Sequence, residues 1–272
     1  MALFKRPEVS GRDYYVSLYA SGLEQEAEWL RRGAVRKVNS IQILLHRHSI
    51  QPQTIMELGC GPGAVIRECR RRSLAQRYIA VDYSADAISY LRANEPDIEA
   101  IQADITSAHF HMAEAVDVVV LTHVIEHLEK PGEFLQATLL KLKFRYLIAE
   151  VPLEDLLGGR LKGLFRDRLI NTTGHVQFFN SSSFMELLTS NGFDLLDRHR
   201  YVPTNDLDTI RFLQTKDGLS RLVVSRMIAG AFLARALYPI WCRLYSAHFA
   251  VLCSRNDTSV RITAPARYKL LR

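Results

Sequence analysis

The side chains able to do chemistry lie in one glycine-rich stretch and three histidines. Glu57-Leu58-Gly59-Cys60-Gly61-Pro62-Gly63 follows the short apolar run Thr54-Ile55-Met56 and leads into Ala64-Val65-Ile66-Arg67-Glu68-Cys69. A strand, a glycine-packed turn and a helix in that order form a nucleotide-binding corner. Glycines allow the sharp turn and bring bare backbone against a ligand, and the helix that opens next presents unpaired N–H groups. His123, His127 and His175 are the candidate bases, because an imidazole titrates near neutrality and can take a proton from a hydroxyl. His123 follows the run Val116–Leu121, His127 comes four residues later after Glu126, and His175 lies in Asn171-Thr172-Thr173-Gly174-His175. For each, a purely structural hydrogen bond is the competing reading.

The ligand of the corner is narrowed by what surrounds it. Gly59, Gly61 and Ala64 satisfy the dinucleotide fingerprint, which keeps an NAD-linked oxidoreductase open as an alternative. Glu57, two places before the first glycine, points instead to S-adenosylmethionine (SAM). A carboxylate suits the cationic methionine end and repels a pyrophosphate. Arg77-Tyr78-Ile79-Ala80-Val81 reads as a second strand ending at Asp82, 19 residues past Gly63, where an acid can accept from ribose hydroxyls. A third strand over 98–102 ends at Asp104, placed to accept from an adenine amino group, with Ile105 and Tyr83 to cover the ring faces. A fourth strand, Val116–Leu121, brings Thr122 and His123 to the same crevice, and Cys60 is a small filler in the turn.

Taken in order, Glu57–Gly63, Val81-Asp82-Tyr83-Ser84, Ala103-Asp104-Ile105 and Leu121–Leu128 resemble the class I SAM-dependent methyltransferases over about residues 50 to 200. The resemblance implies that Glu57, Gly59, Cys60, Gly61 and Gly63 hold the methionine part, Asp82 the ribose, and Asp104 with Ile105 the adenine. It implies a SAM-dependent methyl transfer and leaves the acceptor open: a small molecule, a glycan or a lipid-linked compound. The available histidines favour oxygen as the target. A non-catalytic binding subunit on the same fold is the alternative from a different class. In this superfamily leading helices often cover the cleft, where Lys37 and Arg31 could reach the SAM carboxylate.

His123-Val124-Ile125-Glu126-His127 also matches a zinc-protease pattern, H-x-x-E-H. That motif belongs on a long helix with a distant third ligand, whereas here it follows a valine-rich strand. Some quinone-pathway O-methyltransferases resemble this segment and bind a divalent ion through an acidic-x-x-Glu-His set. His123 replaces the acid here, so no metal is expected.

The elements around these residues predict an α/β fold, a doubly wound Rossmann-like sheet of seven strands. Residues 12–50 read as helices, with Val35, Val38, Ile41, Leu44 and Leu45 at helical spacing. Ser84 caps a helix over 85–93, and Pro131 opens one running to Lys141. Residues 144–150 form the fifth strand, ended by Val151-Pro152. A helix over 182–191 is stopped by Gly192, strands are expected over 193–198 and 247–253, and the resemblance to the methyltransferases implies that these two form an antiparallel edge pair. The expected organisation is an N-terminal helical cap (1–50), the SAM-binding core (51–202), a helical insertion (203–245), and the last strand with a basic tail (246–272). The insertion mixes apolar runs with Arg221, Arg226, Arg235 and Arg243. It reads as a packed cap, a lid over an apolar substrate, or a helix on an anionic membrane.

Composition bounds the rest. The chain has 272 residues, is 48% apolar and carries a net charge of +6. Solvated helix faces account for most of the arginines, and no RNA-binding or helix-turn-helix signature argues for a nucleic-acid partner. Cys60, Cys69, Cys242 and Cys253 form no Cys-x-x-Cys pair, which favours a reducing compartment. The first residues lack the apolar core of a signal peptide, and no run of 18 apolar residues exists. The expectation is a cytoplasmic protein, with 203–245 available for contact with the inner face of a membrane.

Overall fold

A computed structural model describes residues 11–139, 141–164, 174–203, 206–244 and 247–255. The expectations for the first ten residues, for the loop up to Thr173 and for the basic tail fall outside them.

Seven strands form one sheet in the order β3-β2-β1-β4-β5-β7-β6. They are β1 (Thr54–Leu58), β2 (Arg77–Asp82), β3 (Glu99–Gln102), β4 (Val116–Thr122), β5 (Phe144–Leu153), β6 (Phe193–Tyr201) and β7 (Ala247–Arg255). Strands β1 to β5 pair in parallel, and β7 runs antiparallel between β5 and β6. The predicted fold class and the antiparallel edge pair are both borne out. The central strands alternate across the sheet. Val118 and Val120 pack on one face with helix α1 (Gly11–Arg47) and α2 (Ala64–Arg71), while Val119 and Leu121 pack on the other with α4 (Pro131–Phe134) and α6 (Ser181–Ser190). Burial on both faces is why β4 reads Val-Asp-Val-Val-Val-Leu-Thr rather than alternating with polar residues.

The helices start where local chemistry says. Ser84 accepts from the Ala87 N–H and opens α3 (Ala85–Asn94), and Asn180 accepts from Ser182 and Ser183 to open α6. Helix α1 is broken at Gly22. Its buried stripe is Ala34, Val38, Ile41, Leu44 and Leu45, and Val35 is exposed, so the predicted stripe was one residue off at its start. Two further boundaries differ. The helix from Pro131 is α-helical only to Phe134 and continues as a π-helical stretch, Leu135–Leu139. Strand β5 runs through Pro152 to Leu153, because its ladder with β4 stops at the Thr122–Glu150 pair. Beyond that pair a missing N–H is tolerated.

Helix α5 (Leu157–Gly163) follows β5, and the segment before β7 holds α7 (Leu207–Asp217), α8 (Arg221–Ala236) and α9 (Tyr238–Leu244). Helices α8 and α9 meet at 106°. Ala234 and Cys242 are buried against the core, while Leu222, Ile228, Phe232, Leu237, Ile240 and Leu244 are exposed. Among the described residues no single helix is long and apolar enough to cross a membrane.

Candidate active site

The glycine corner stands at the carboxyl end of β1. Gly59, Gly61 and Gly63 all have left-handed backbone, with φ of 72°, 53° and 80°, a region L side chains avoid. A Cβ on Gly59 would lie 2.6 Å from Val124 Cγ2, and one on Gly61 would lie 2.6 Å from the Tyr19 hydroxyl. The corner is thus bounded by the exit of β4 on one side and by α1 on the other.

Its two acids serve the turn. Glu57 is buried and accepts from the Ile66 N–H at 2.9 Å and from the Thr122 hydroxyl at 3.3 Å. It bridges the first turn of α2 to the end of β4. Burial lifts its carboxyl to about 8, against the opposing pull of Lys37. Asp82 is buried and accepts from the Gly61 N–H at 2.7 Å and the Ser84 N–H at 2.9 Å. Burial raises its carboxyl while those bonds lower it. Each oxygen keeps a second lone pair for a ribose hydroxyl. Asp104 is half-buried and accepts from the Thr106 backbone and hydroxyl. Ile105 is buried beside it, and Tyr83 is half-buried. Cys60 is buried, donates to the Gly61 carbonyl and has its thiol pushed well up by burial, so it is filler and not a nucleophile.

From the corner a line of rings leads to the histidines. Tyr19 stands over Gly61, its ring 5.9 Å from that of Tyr15. Tyr15 meets His127 edge-on at 5.2 Å, its hydroxyl 3.2 Å from Nε2, and the His127 ring lies 4.9 Å from that of His175. His127 also bonds the Gly174 carbonyl through Nδ1, and burial pushes it down to about 3, so it stays neutral. His175 is buried with Nδ1 2.6 Å from Glu154 Oε2. Burial lowers its affinity for a proton, but Glu154 and Glu126 more than offset this, and its pKa is raised. Burial lifts the Glu126 carboxyl to about 7.

His123 belongs to a second group. Its backbone is left-handed, φ 58°, at the last turn of the chain out of β4. Its ring faces Glu150 at the end of β5 and His248 at the start of β7, with Tyr201 from β6 closing over both. Burial holds both His123 and His248 below the ordinary histidine value. Burial also opposes ionisation of Glu150, yet the two rings beside it draw its carboxyl well below the usual range. Both oxygens of Glu126 and Oε2 of Glu150 are buried without a hydrogen-bond partner among the described residues. Lys37, half-buried, acts on Glu57, Glu126 and Glu150, and burial lowers its ammonium. Arg31 is exposed and paired with Glu28.

The three predicted histidines and Thr122 thus gather at one edge with the corner. Sequence reading missed Tyr15, Tyr19, Glu150, Glu154, Tyr201 and His248. For Glu150 and His248 a signal was present: each is an ionisable residue inside an otherwise apolar strand, Leu147–Val151 and Ala247–Leu252. His199 stacks on Tyr201 at 6.1 Å and bonds the Ser40 hydroxyl through Nδ1 at 2.9 Å, and the four remaining histidines are peripheral. His46 is in the last turn of α1, His48 bridges to Asp197, and His109 and His111 are exposed.

Corner, strand order and switch from β1 to β4 define a SAM-binding sheet of the class I type. A family model described as a methyltransferase domain matches residues 20–198, and the chain belongs to that family. A probable S-adenosylmethionine-dependent methyltransferase of Mycobacterium tuberculosis is 37% identical over 84 residues, 30% of this chain and 29% of that protein. Malonyl-[acyl-carrier protein] O-methyltransferase of Halalkalibacterium halodurans is 32% identical over 88 residues, 30% of this chain and 32% of that protein. These alignments span about a third of each relative's length. A chain from the complex between the Haloferax volcanii Trm112 methyltransferase activator and a methyltransferase shares the fold. Its TM-score is 0.59 at 16% identity, covering 89% of this chain and 98% of that one. The cofactor is SAM, not NAD. The glycine cradle fits it: three positive-φ glycines, the opening turn of α2 and the Asp82 carboxylate converge on one bare patch of backbone.

Proposed function

We propose that this protein transfers a methyl group from SAM to an oxygen of a lipid-linked acceptor at an anionic membrane surface. The observation that carries the reading is the unbroken line of rings from the glycine corner through Tyr19, Tyr15 and His127 to the His175–Glu154 pair. When bound, SAM supplies a methyl group on a cationic sulfur, so transfer makes a C–O bond and leaves the C–S electron pair on sulfur. Asp82 holds the ribose and the glycines hold the methionine part. His175 takes the acceptor's hydroxyl proton at Nε2, while Glu154 fixes the ring through Nδ1. Tyr15 and Tyr19 shield the site from water, which keeps the sulfonium from competing nucleophiles.

The membrane part rests on α8 and α9. Their exposed apolar side chains alternate with four arginines and with no acidic residue between Gly218 and Leu244. Leu157, Leu161 and Leu164, in and just after α5, are exposed as well. An apolar face edged by arginine matches an anionic interface.

Tritiated-methyl SAM, the full chain and a lipid extract of the source organism test the reading. Label should enter the organic phase, with the methyl on oxygen by fragmentation. Label on nitrogen, label only in water-soluble products, or bound SAM with no transfer would each overturn it. The chain should float with phosphatidylglycerol vesicles and not with phosphatidylcholine ones. Phe232→Asp with Ile240→Asp should abolish flotation, and flotation that survives removes the assigned face.

A further inference from the structure

The group around His123 is built like a metal site. We propose that His123, Glu150 and His248 bind one divalent transition-metal ion, zinc by donor type, with a fourth position open to the cleft. Three donor atoms face one another: His123 Nε2 to His248 Nδ1 at 3.2 Å, His123 Nε2 to Glu150 Oε1 at 3.4 Å, and His248 Nδ1 to Glu150 Oε1 at 3.6 Å. Zinc bonds of about 2.0–2.2 Å to nitrogen and oxygen give tetrahedral edges of roughly 3.3–3.6 Å. The triangle already has the span that an ion would require. Two imidazoles and a carboxylate with one open position are a donor set zinc uses in catalytic sites.

Three further features point to the same ion. Glu150 is 1% exposed and its Oε2 has no partner, so this carboxylate has binding capacity that the protein leaves unused. The second ring nitrogen of His123, Nδ1, lies 3.3 Å from Glu126 Oε1, another buried oxygen without a hydrogen-bond partner. A carboxylate in that place is positioned to accept from Nδ1–H when Nε2 is committed to a metal. Tyr201 donates to Glu150 Oε1 at 2.8 Å, and its hydroxyl also lies 3.0 Å from His248 Nδ1, so it holds two of the three donors together. Access exists as well: the side chains of His123 and His248 are 19% and 18% exposed.

A buried hydrogen-bond network of the same residues is the competing account, and it leaves the Glu126 and Glu150 oxygens unsatisfied. The arrangement also differs from the H-x-x-E-H reading of the sequence. Glu126 moves behind His123, and the other two ligands, Glu150 and His248, come from β5 and β7. That the ion holds an acceptor oxygen at its open position rests on the proposed oxygen transfer; that it binds at all does not.

The test uses the full chain stripped with EDTA, then titrated with zinc and with cobalt(II). One zinc per chain and an intense tetrahedral cobalt spectrum are expected. His248→Ala and His248→Gln should each weaken zinc binding at least 100-fold, with SAM affinity by calorimetry unchanged as the check on folding. Three results would overturn the proposal: no zinc retained, a cobalt spectrum like that of the hydrated ion, or zinc binding lost in His127→Ala but kept in both His248 variants. Because no acceptor is present, a negative result here leaves the oxygen-transfer reading to its own assay.

Discussion

The glycine corner and the histidine cleft lie side by side at the carboxyl edge of one sheet, and they are assembled differently. The corner is made by Glu57 to Ser84, a continuous strand–turn–helix–strand whose acids bond mostly within that stretch, Asp82 to Gly61 and Ser84 and Glu57 to Ile66, with Glu57 to Thr122 the bond that reaches β4. The cleft joins residues from α1, from the ends of the central and edge strands and from two connecting segments, and His123 meets His248 across 125 positions. In the corner, acids are spent on backbone N–H groups, which fixes a turn. In the cleft, buried carboxylates lie among rings and a lysine with oxygens left over, which is costly for folding and useful for chemistry. In the proposed reaction the corner answers for cofactor binding and the cleft for turnover.

Substitutions should separate the two. His175→Ala removes the proposed base and should lower turnover by about 10²–10⁴-fold with SAM affinity unchanged, read by radiometric assay beside calorimetry. Equal loss of both would mean that the cleft also builds the cofactor site. Asp82→Ala does the reverse and should weaken SAM binding by about two orders of magnitude, the scale of two charge-assisted hydrogen bonds of about 1.5 kcal/mol each. Unchanged affinity would break the assignment of the corner.

Gly59→Ala forces a side chain into left-handed backbone against Val124 and should cost about 2 kcal/mol, seen as a lower denaturant midpoint at unchanged slope. A comparable loss from His175→Ala would erase the contrast in how the two regions contribute to stability.

The smallest effect is on pH dependence. His175 is faced by Glu154, Glu126, His127 and Lys37, and its raised pKa means it is protonated at pH values where an ordinary histidine is neutral. A base must be neutral, so activity should climb with pH through a value above 6.5, the ordinary histidine value. Removing the Glu154 charge should lower the folded pKa. The acid limb in Glu154→Gln should therefore move to lower pH. An unmoved limb would give the titration to another group. The stability that the Glu154 pair contributes has the sign of a raised histidine: present at low pH and lost as pH rises through the folded pKa.

Much of this was legible before any fold was known. The seven strands, the glycine turn and the cap at Ser84 follow from periodicity and turn chemistry, because each depends on neighbours a few residues away, while the antiparallel edge was implied only by the family resemblance. The boundaries that slipped had tertiary causes. Val35 reads as core in the helical pattern but faces solvent, and Pro152 stays in a strand because β4 has already ended. Lys37 and Arg31 looked equivalent as charges, and only packing sends the first into the cleft.

By itself the sequence determined the cofactor corner, since Glu57, the glycines and Asp82 act through local backbone geometry that side-chain spacing encodes. Only the tertiary structure decided which acids and rings share the cleft. Glu150, His248 and Tyr201 meet His123 because β7 returns antiparallel between β5 and β6, and a register set by sheet pairing leaves no local trace at the residues it brings together.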